Sequence, residues 1–369
     1  MNTCFGVKPM VKPDLLRKDP VLKEEDLRSR MPVYLLMAGV FFLVSLLTIF
    51  LLHRYFLESR TLLDSRLLTT DVIAGLAVLL LLYYLTDGAR LYMVVRAMGH
   101  HVPFGYIIKL VFVNIFFSNV TPLSTGGGFV QIYLLSRKNI PIGEATAVTT
   151  IRTITAALGV LTLAPIIIVL EPQFFHPMRS GKAIAYFLPI GVLYLTYTYF
   201  IIFRVRTLKI ILFHLLRFLH RKGLLSRRRF RVAFLRFSLE LTYFHCGFRK
   251  FIRGPFRYVL GSMLFTSLFL LTLFSFSVVL IRGLGYDVPT LTILAIQSVV
   301  TFIMYFTPTP GAVGFAESGY VLLFSQVISK NDITLLTICW RFLTIYVGVL
   351  LGILIAYREL SSVRPRRSA

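Results

Sequence analysis

T-P-T-P-G-A-V-G-F-A-E, residues 307–317, stands between two apolar runs, Leu291–Phe306 and Ser318–Ile328. Pro308, Pro310, Gly311 and Gly314 exclude a continuous helix, because proline lacks the amide donor and glycine tolerates backbone angles that helices do not use. Inside a membrane such a break is costly. An unpaired amide or carbonyl in hydrocarbon loses roughly 2–7 kcal/mol, so the segment must be enclosed by protein or line a wet cavity. Glu317 places a carboxylate at its end and marks the stretch as a ligand site.

The same device occurs earlier, as N-V-T-P-L-S-T-G-G-G at 119–128 after the apolar run Phe104–Phe117. Each break is followed by an apolar segment with one arginine well inside it, Arg152 in T-T-I-R-T-I-T and Arg341 in I-C-W-R-F-L-T. Pro122 precedes Arg152 by 30 positions and Pro310 precedes Arg341 by 31. Interrupted segments in corresponding places of two halves point to a transporter binding site at a repeat interface.

Composition sets the class. A chain of 369 residues that is 56% hydrophobic, with several apolar runs near the ~20 residues a spanning helix needs, is an integral membrane protein. The net charge of +24 is not spread as a nucleic-acid footprint. Residues 204–257 hold fifteen Lys or Arg against one acid, Glu240, so this loop alone carries +14. Cytoplasmic loops beside anionic lipid are built this way. Cys4, Cys246 and Cys339 form neither a disulfide framework nor a zinc spacing, the histidines are scattered, and no cofactor or metal is expected.

The fold expected is an all-α polytopic membrane protein, with about six full transmembrane helices and two broken re-entrant hairpins in an inverted-repeat arrangement. Residues 1–31 read as a polar cytoplasmic segment rather than a cleaved signal peptide. A first membrane repeat covers 32–203 with its broken hairpin at 104–136. A basic cytoplasmic loop with amphipathic helices follows at 204–257, with Leu208–Leu219 and Phe230–Phe244 reading as interfacial helices. The second repeat covers 258–357 with its hairpin at 291–328, and 358–369 is a basic cytoplasmic tail. Both termini then lie in the cytoplasm of a cell-membrane protein. Asp87 and Arg90, one turn apart at the end of the second span, read as an interfacial ion pair, and Arg90, Arg96, His100, His101 and Lys109 mark the inside face.

A buried arginine or glutamate costs about 2.5–3.5 kcal/mol, so Arg152, Arg341 and Glu317 must face a cavity or one another. Arginine presents a planar fork matched to a phosphodiester, and the helix starts after the breaks add amide donors. Arg152, Arg341 and the glycine turns (Gly126, Gly127, Gly311, Gly314) are therefore expected to form a midplane pocket for one lipid head group, with Glu317 balancing charge. Thr121, Gln131 and Thr309 complete the set. Simpler uses stay open: the arginines bonding to broken-segment carbonyls, Glu317 pairing with Arg341, and the hydroxyls and amide satisfying freed backbone groups. No catalytic motif for acyl, phosphoryl or metal-assisted chemistry is present.

T-P-L-S-T-G-G-G-F-V-Q-I-Y-L-L-S-R (121–137), G-E-A-T-A-V-T-T-I-R (143–152) and T-P-T-P-G-A-V-G-F-A-E-S (307–318) resemble the flippase-like membrane region of lysylphosphatidylglycerol synthases. The resemblance covers nearly the whole chain from the first span onward. It implies a lipid translocase that binds a phospholipid or polyprenyl-linked lipid, transporter-like rather than an enzyme. The family's soluble aminoacyl-transfer domain has no counterpart expected in the twelve residues after Tyr357. A membrane enzyme or enzyme subunit that modifies a lipid head group by aminoacyl or glycosyl transfer is the alternative. Expected partners are the lipid itself and, through the 204–257 loop, an anionic lipid surface, with no nucleic acid; homo-oligomerisation is left open.

Overall fold

A computed structural model describes residues 31–56, 64–121, 125–170, 189, 191–196, 198–200, 204–222, 226–305, 307 and 309–361. Among them all regular structure is helical: α1 Met31–Phe56, α2 Thr70–Ala97, α3 Phe104–Val120, α4 Thr125–Ser136, α5 Ile142–Leu170, α6 Val205–Arg221, α7 Arg227–Ile252, α8 Phe256–Gly283, α9 Thr290–Tyr305, α10 Phe315–Phe324, α11 Lys330–Arg341 and α12 Val347–Ser361. A π turn, Phe342–Tyr346, joins the last two into one rod. Among the described residues five stretches are long and apolar enough to cross a membrane: Met31–Leu51, Thr70–Ala97, Ile142–Leu163, Phe256–Gly283 and Asn331–Glu359. The further span expected at 183–203 falls largely outside the described residues, as do Pro122, Pro308 and the segments 1–30 and 362–369.

The helices bury one stripe and present apolar side chains outward, as a lipid solvent permits. Helix α1 turns Ala38, Phe41, Ser45 and Ile49 inward at helical spacing, while Leu36, Leu43 and Leu46 are exposed. Helices α2 and α8 run antiparallel. At one end Arg96 Nη2 donates to Tyr258 Oη (3.1 Å); midway Tyr83 stacks on Phe269 (5.1 Å); at the other end Arg66 Nη1 donates to the Leu284 carbonyl (2.5 Å).

Each broken segment doubles back. Tyr106, at the start of α3, donates to the Leu134 carbonyl at the end of α4 (3.1 Å), so this hairpin closes at the end where α2 stops. Tyr286, just before α9, donates to Ser329 Oγ (2.7 Å) beyond α10, so the second closes at the end where α2 begins. At ~1.5 Å per residue, the 12 residues of α4 and 10 of α10 are about 18 and 15 Å long, well short of a ~30 Å hydrocarbon core. The hairpins thus close at opposite ends of α2, and they meet: a Cβ on Gly311 would lie 2.8 Å from Asn119 Oδ1 and 2.7 Å from the Phe41 ring.

Close approach within the first hairpin depends on Gly127, where a Cβ would sit 2.0 Å from Ser118 Oγ and 2.5 Å from the Asn114 carbonyl oxygen. Backbone cannot move aside as a side-chain tip can. Gly127→Ala is expected to lower unfolding stability by about 1–3 kcal/mol through overpacking, read as a lower thermal midpoint in detergent. Gly128→Ala is the control, because nothing lies within 4 Å of its Cβ position.

The basic loop folds into α6 and α7. Helix α7 is fastened to the start of α5: Gly143 N donates to Glu240 Oε2 (2.6 Å), and Lys250 Nζ and His100 Nε2 hold the two oxygens of Glu144 (2.7 and 2.6 Å). Burial raises the Glu240 carboxyl above the usual range. Helix α6 rests on α7 through Phe213, packed against Phe230 and Phe234, and leaves Ile210, Ile211, Leu215 and Phe218 exposed.

Candidate head-group site

Helix α2 does not end at Asp87 and Arg90. It continues to Ala97, and both side chains are buried, Asp87 at 2% and Arg90 at 6% exposure. The interfacial reading of this pair is therefore corrected. The apolar residues beyond Arg90, Leu91–Val95, carry the helix onward, and that run is the signal in the sequence that the charges lie inside.

Asp87 is the hub of a three-residue cluster. Arg152 Nη2 donates to both of its oxygens (2.7 and 2.6 Å) and Arg90 Nε donates to Oδ1 (2.6 Å). Arg152 Nη1 reaches Gln131 Oε1 at 3.4 Å. With the Asn114 amide nitrogen donating to the Gly127 carbonyl (3.2 Å), its oxygen accepts from Arg152 Nη1 at 3.2 Å. The Arg90 guanidinium also lies 3.9 Å from the centroid of the Phe269 ring. A carboxylate gripped by two guanidiniums is ionised, so the cluster holds two positive charges against one negative.

These arginines line a cavity of about 460 Å³. Its wall is drawn from both breaks, with Ser118, Asn119 and Gly128 on one side and Thr307, Gly311 and Ala312 on the other. Helix α5 contributes Thr149, Thr153 and Ala156 beside Arg152, and α9 contributes Met304 and Tyr305. Polar groups and open space at this depth are what interrupted backbone in a membrane requires.

Arg341 and Glu317 stand behind the second break rather than on the wall, at 1% and 0% exposure. Arg341 Nε donates to Glu317 Oε1 (2.8 Å), Nη1 to the Gly311 carbonyl (3.2 Å) and Nη2 to the Ala312 carbonyl (3.4 Å). Glu317 Oε2 in turn accepts from Gly314 N (2.7 Å), which caps the start of α10. The pair thus holds the shape of the turn whose other face forms the cavity. The π turn begins directly after Arg341, a feature often found where a helix serves a site.

Of the other expected residues, Gln131, Arg152 and Gly311 line the cavity. Thr121 Oγ1 donates to the Phe117 carbonyl (2.6 Å) and accepts from Gly126 N (2.9 Å), bridging the first break. Thr309 Oγ1 donates to the Val313 carbonyl (3.0 Å) and does the same for the second. Gly314 at φ 87° and Gly311 at φ 56° use the left-handed region, and Ala312 shares it at φ 54°. An L-residue there costs roughly 1–2 kcal/mol. Ala312→Gly is therefore expected to leave the fold intact and raise the thermal midpoint, a gain of about 1 kcal/mol.

Fold and site together define an all-helical, polytopic membrane protein with a polar cavity between two interrupted hairpins. Residues 36–352 match the family described as "Lysylphosphatidylglycerol synthase TM region", and the chain belongs to that family. It is also similar to a "UPF0104 membrane protein" of Archaeoglobus fulgidus, 22% identical over 270 residues, which are 73% of this chain and 81% of that one.

Proposed function

We propose that the protein is a lipid translocase whose cavity takes the head group of a phospholipid or polyprenyl-linked lipid midway between the leaflets. One observation carries this reading: Arg90 and Arg152, with a single carboxylate between them, line a cavity framed by both membrane breaks. Guanidinium forks suit phosphate oxygens, and a charged group can cross hydrocarbon only where the protein replaces its water. Hairpins that close at opposite ends of α2 support an inverted-repeat, alternating-access motion around this point. In the same reading the chain sits in the cell membrane with both termini cytoplasmic, and the basic helices α6 and α7 rest on anionic lipid. The family's name, which concerns a phospholipid synthase, fits a lipid ligand.

Reconstitution tests it. Vesicles containing the full chain and a trace of acyl-labelled phospholipid are expected to lose inner-leaflet protection of the label from a membrane-impermeant quencher faster than protein-free vesicles, for at least one lipid class. Rates no faster than in protein-free vesicles for each of phosphatidylglycerol, phosphatidylethanolamine, phosphatidic acid and polyprenyl phosphate would refute translocation.

A further inference from the structure

Asp87 accepts from both arginines yet engages only part of each: Nη2 of Arg152 and Nε of Arg90. Among the described residues, Arg152 Nε, Arg90 Nη1 and Gln131 Nε2 have no hydrogen-bond partner, although the three residues are only 7%, 6% and 1% exposed. Each buried donor left unpaired costs about 1–3 kcal/mol, and native structures seldom leave three together. The described residues leave this cluster short of an acceptor.

We propose that Asp87 determines specificity by charge count, fitting the cavity to a head group with one negative charge and against one with two. This rests on the reading of the cavity as a head-group site. Asp87 does not line the cavity; it stands behind the arginines and acts through them. Two guanidiniums and one carboxylate sum to +1, so one phosphodiester brings the buried cluster to zero. A phosphomonoester carries about −1.5 to −2 at neutral pH and leaves an uncompensated negative charge against side chains that are themselves only 2–7% exposed.

No other described residue of the wall can absorb the excess. The remaining described lining residues bear no carboxylate, ammonium or guanidinium. Arg341 cannot serve as a reserve cation, because Glu317 already matches it on the far side of the second break. Asp87 is thus the one acid that fixes how much negative charge the arginines have left to accept.

The experiment compares two lipids that differ chiefly in phosphate charge, phosphatidylglycerol and phosphatidic acid. The wild-type chain in vesicles is expected to move acyl-labelled phosphatidylglycerol about tenfold faster or more, the equivalent of ~1.4 kcal/mol. Asp87→Asn raises the cluster to +2 and is expected to shrink or invert that ratio, a change that a merely structural role would not produce. A binding arm needs no variant: dihexanoyl phosphatidylglycerol should raise the thermal midpoint of detergent-solubilised wild type, and dihexanoyl phosphatidic acid should raise it less. Equal rates and equal shifts for the two lipids in wild type would overturn the charge rule while leaving translocation standing. Selective binding without movement of either lipid would do the reverse. An Asp87→Asn protein that folds, transports and keeps the wild-type ratio would also overturn the role of Asp87.

Discussion

Arg152→Met is expected to abolish lipid movement while leaving folded protein in the membrane. The charge arithmetic of the cluster separates the two effects. Asp87 is held by two arginines, so removing Arg152 leaves Arg90 and Asp87 as a neutral pair at 2.6 Å rather than a stranded charge. Stability should fall by only the lost charge-assisted hydrogen bonds, about 1.5–3 kcal/mol. Transport should fall by about a hundredfold or more, because losing the partner of a desolvated phosphate costs on the order of 2–5 kcal/mol. Arg152→Lys keeps the charge but not the fork and should recover only part of the rate. The check is the reconstituted rate alongside the thermal midpoint of the same preparation; a wild-type rate in Arg152→Met would remove this residue from the site.

Arg341→Met should show the opposite balance. Its only ionic partner among the described residues is Glu317 at 2.8 Å, and both are sealed from solvent. Deleting one member leaves a lone buried charge, and such losses run to about 3–5 kcal/mol. Two carbonyls, those of Gly311 and Ala312, lose their donors as well. Arg341→Met is therefore expected to be the more destabilising of the two arginine replacements. Adding Glu317→Gln should restore much of the midpoint, since the glutamine can keep the Gly314 amide bonded without a charge. A double-mutant cycle reads the coupling, expected at about 2 kcal/mol or more. Additive effects would mean that the two side chains do not depend on each other.

The class of the protein was legible because lipid imposes length and composition on every spanning helix. Both breaks were legible for a similar reason: Pro310 and Gly311, like the glycines after Asn119, are residues that a membrane helix tolerates only at a price in backbone hydrogen bonds. The sequence also pointed to Arg152, Gln131 and Gly311, which do line the cavity. Partnership was legible only in part: the pairing of Glu317 with Arg341 was one of the readings left open, whereas that of Asp87 with Arg152 was not among them. Arg152 and Arg341 look equivalent in spacing, yet one meets Asp87 from another helix and the other meets Glu317 from the break just before it. That Asp87 reaches Arg152, 65 positions away, is decided by tertiary packing, and no local pattern encodes it. Asp87 was hidden because a charge pair spaced one turn apart resembles a helix end, and only the apolar run Leu91–Val95 says otherwise.

The central claim is that a lipid phosphate sits between the two breaks, against Arg152 and Arg90. A cryo-electron-microscopy map of the full chain in nanodiscs of phosphatidylglycerol tests it directly. The expected result is head-group density inside the cavity within hydrogen-bonding distance of both guanidiniums. Density for head groups only at the bilayer surfaces, with the cavity holding water or acyl tail alone, would contradict it.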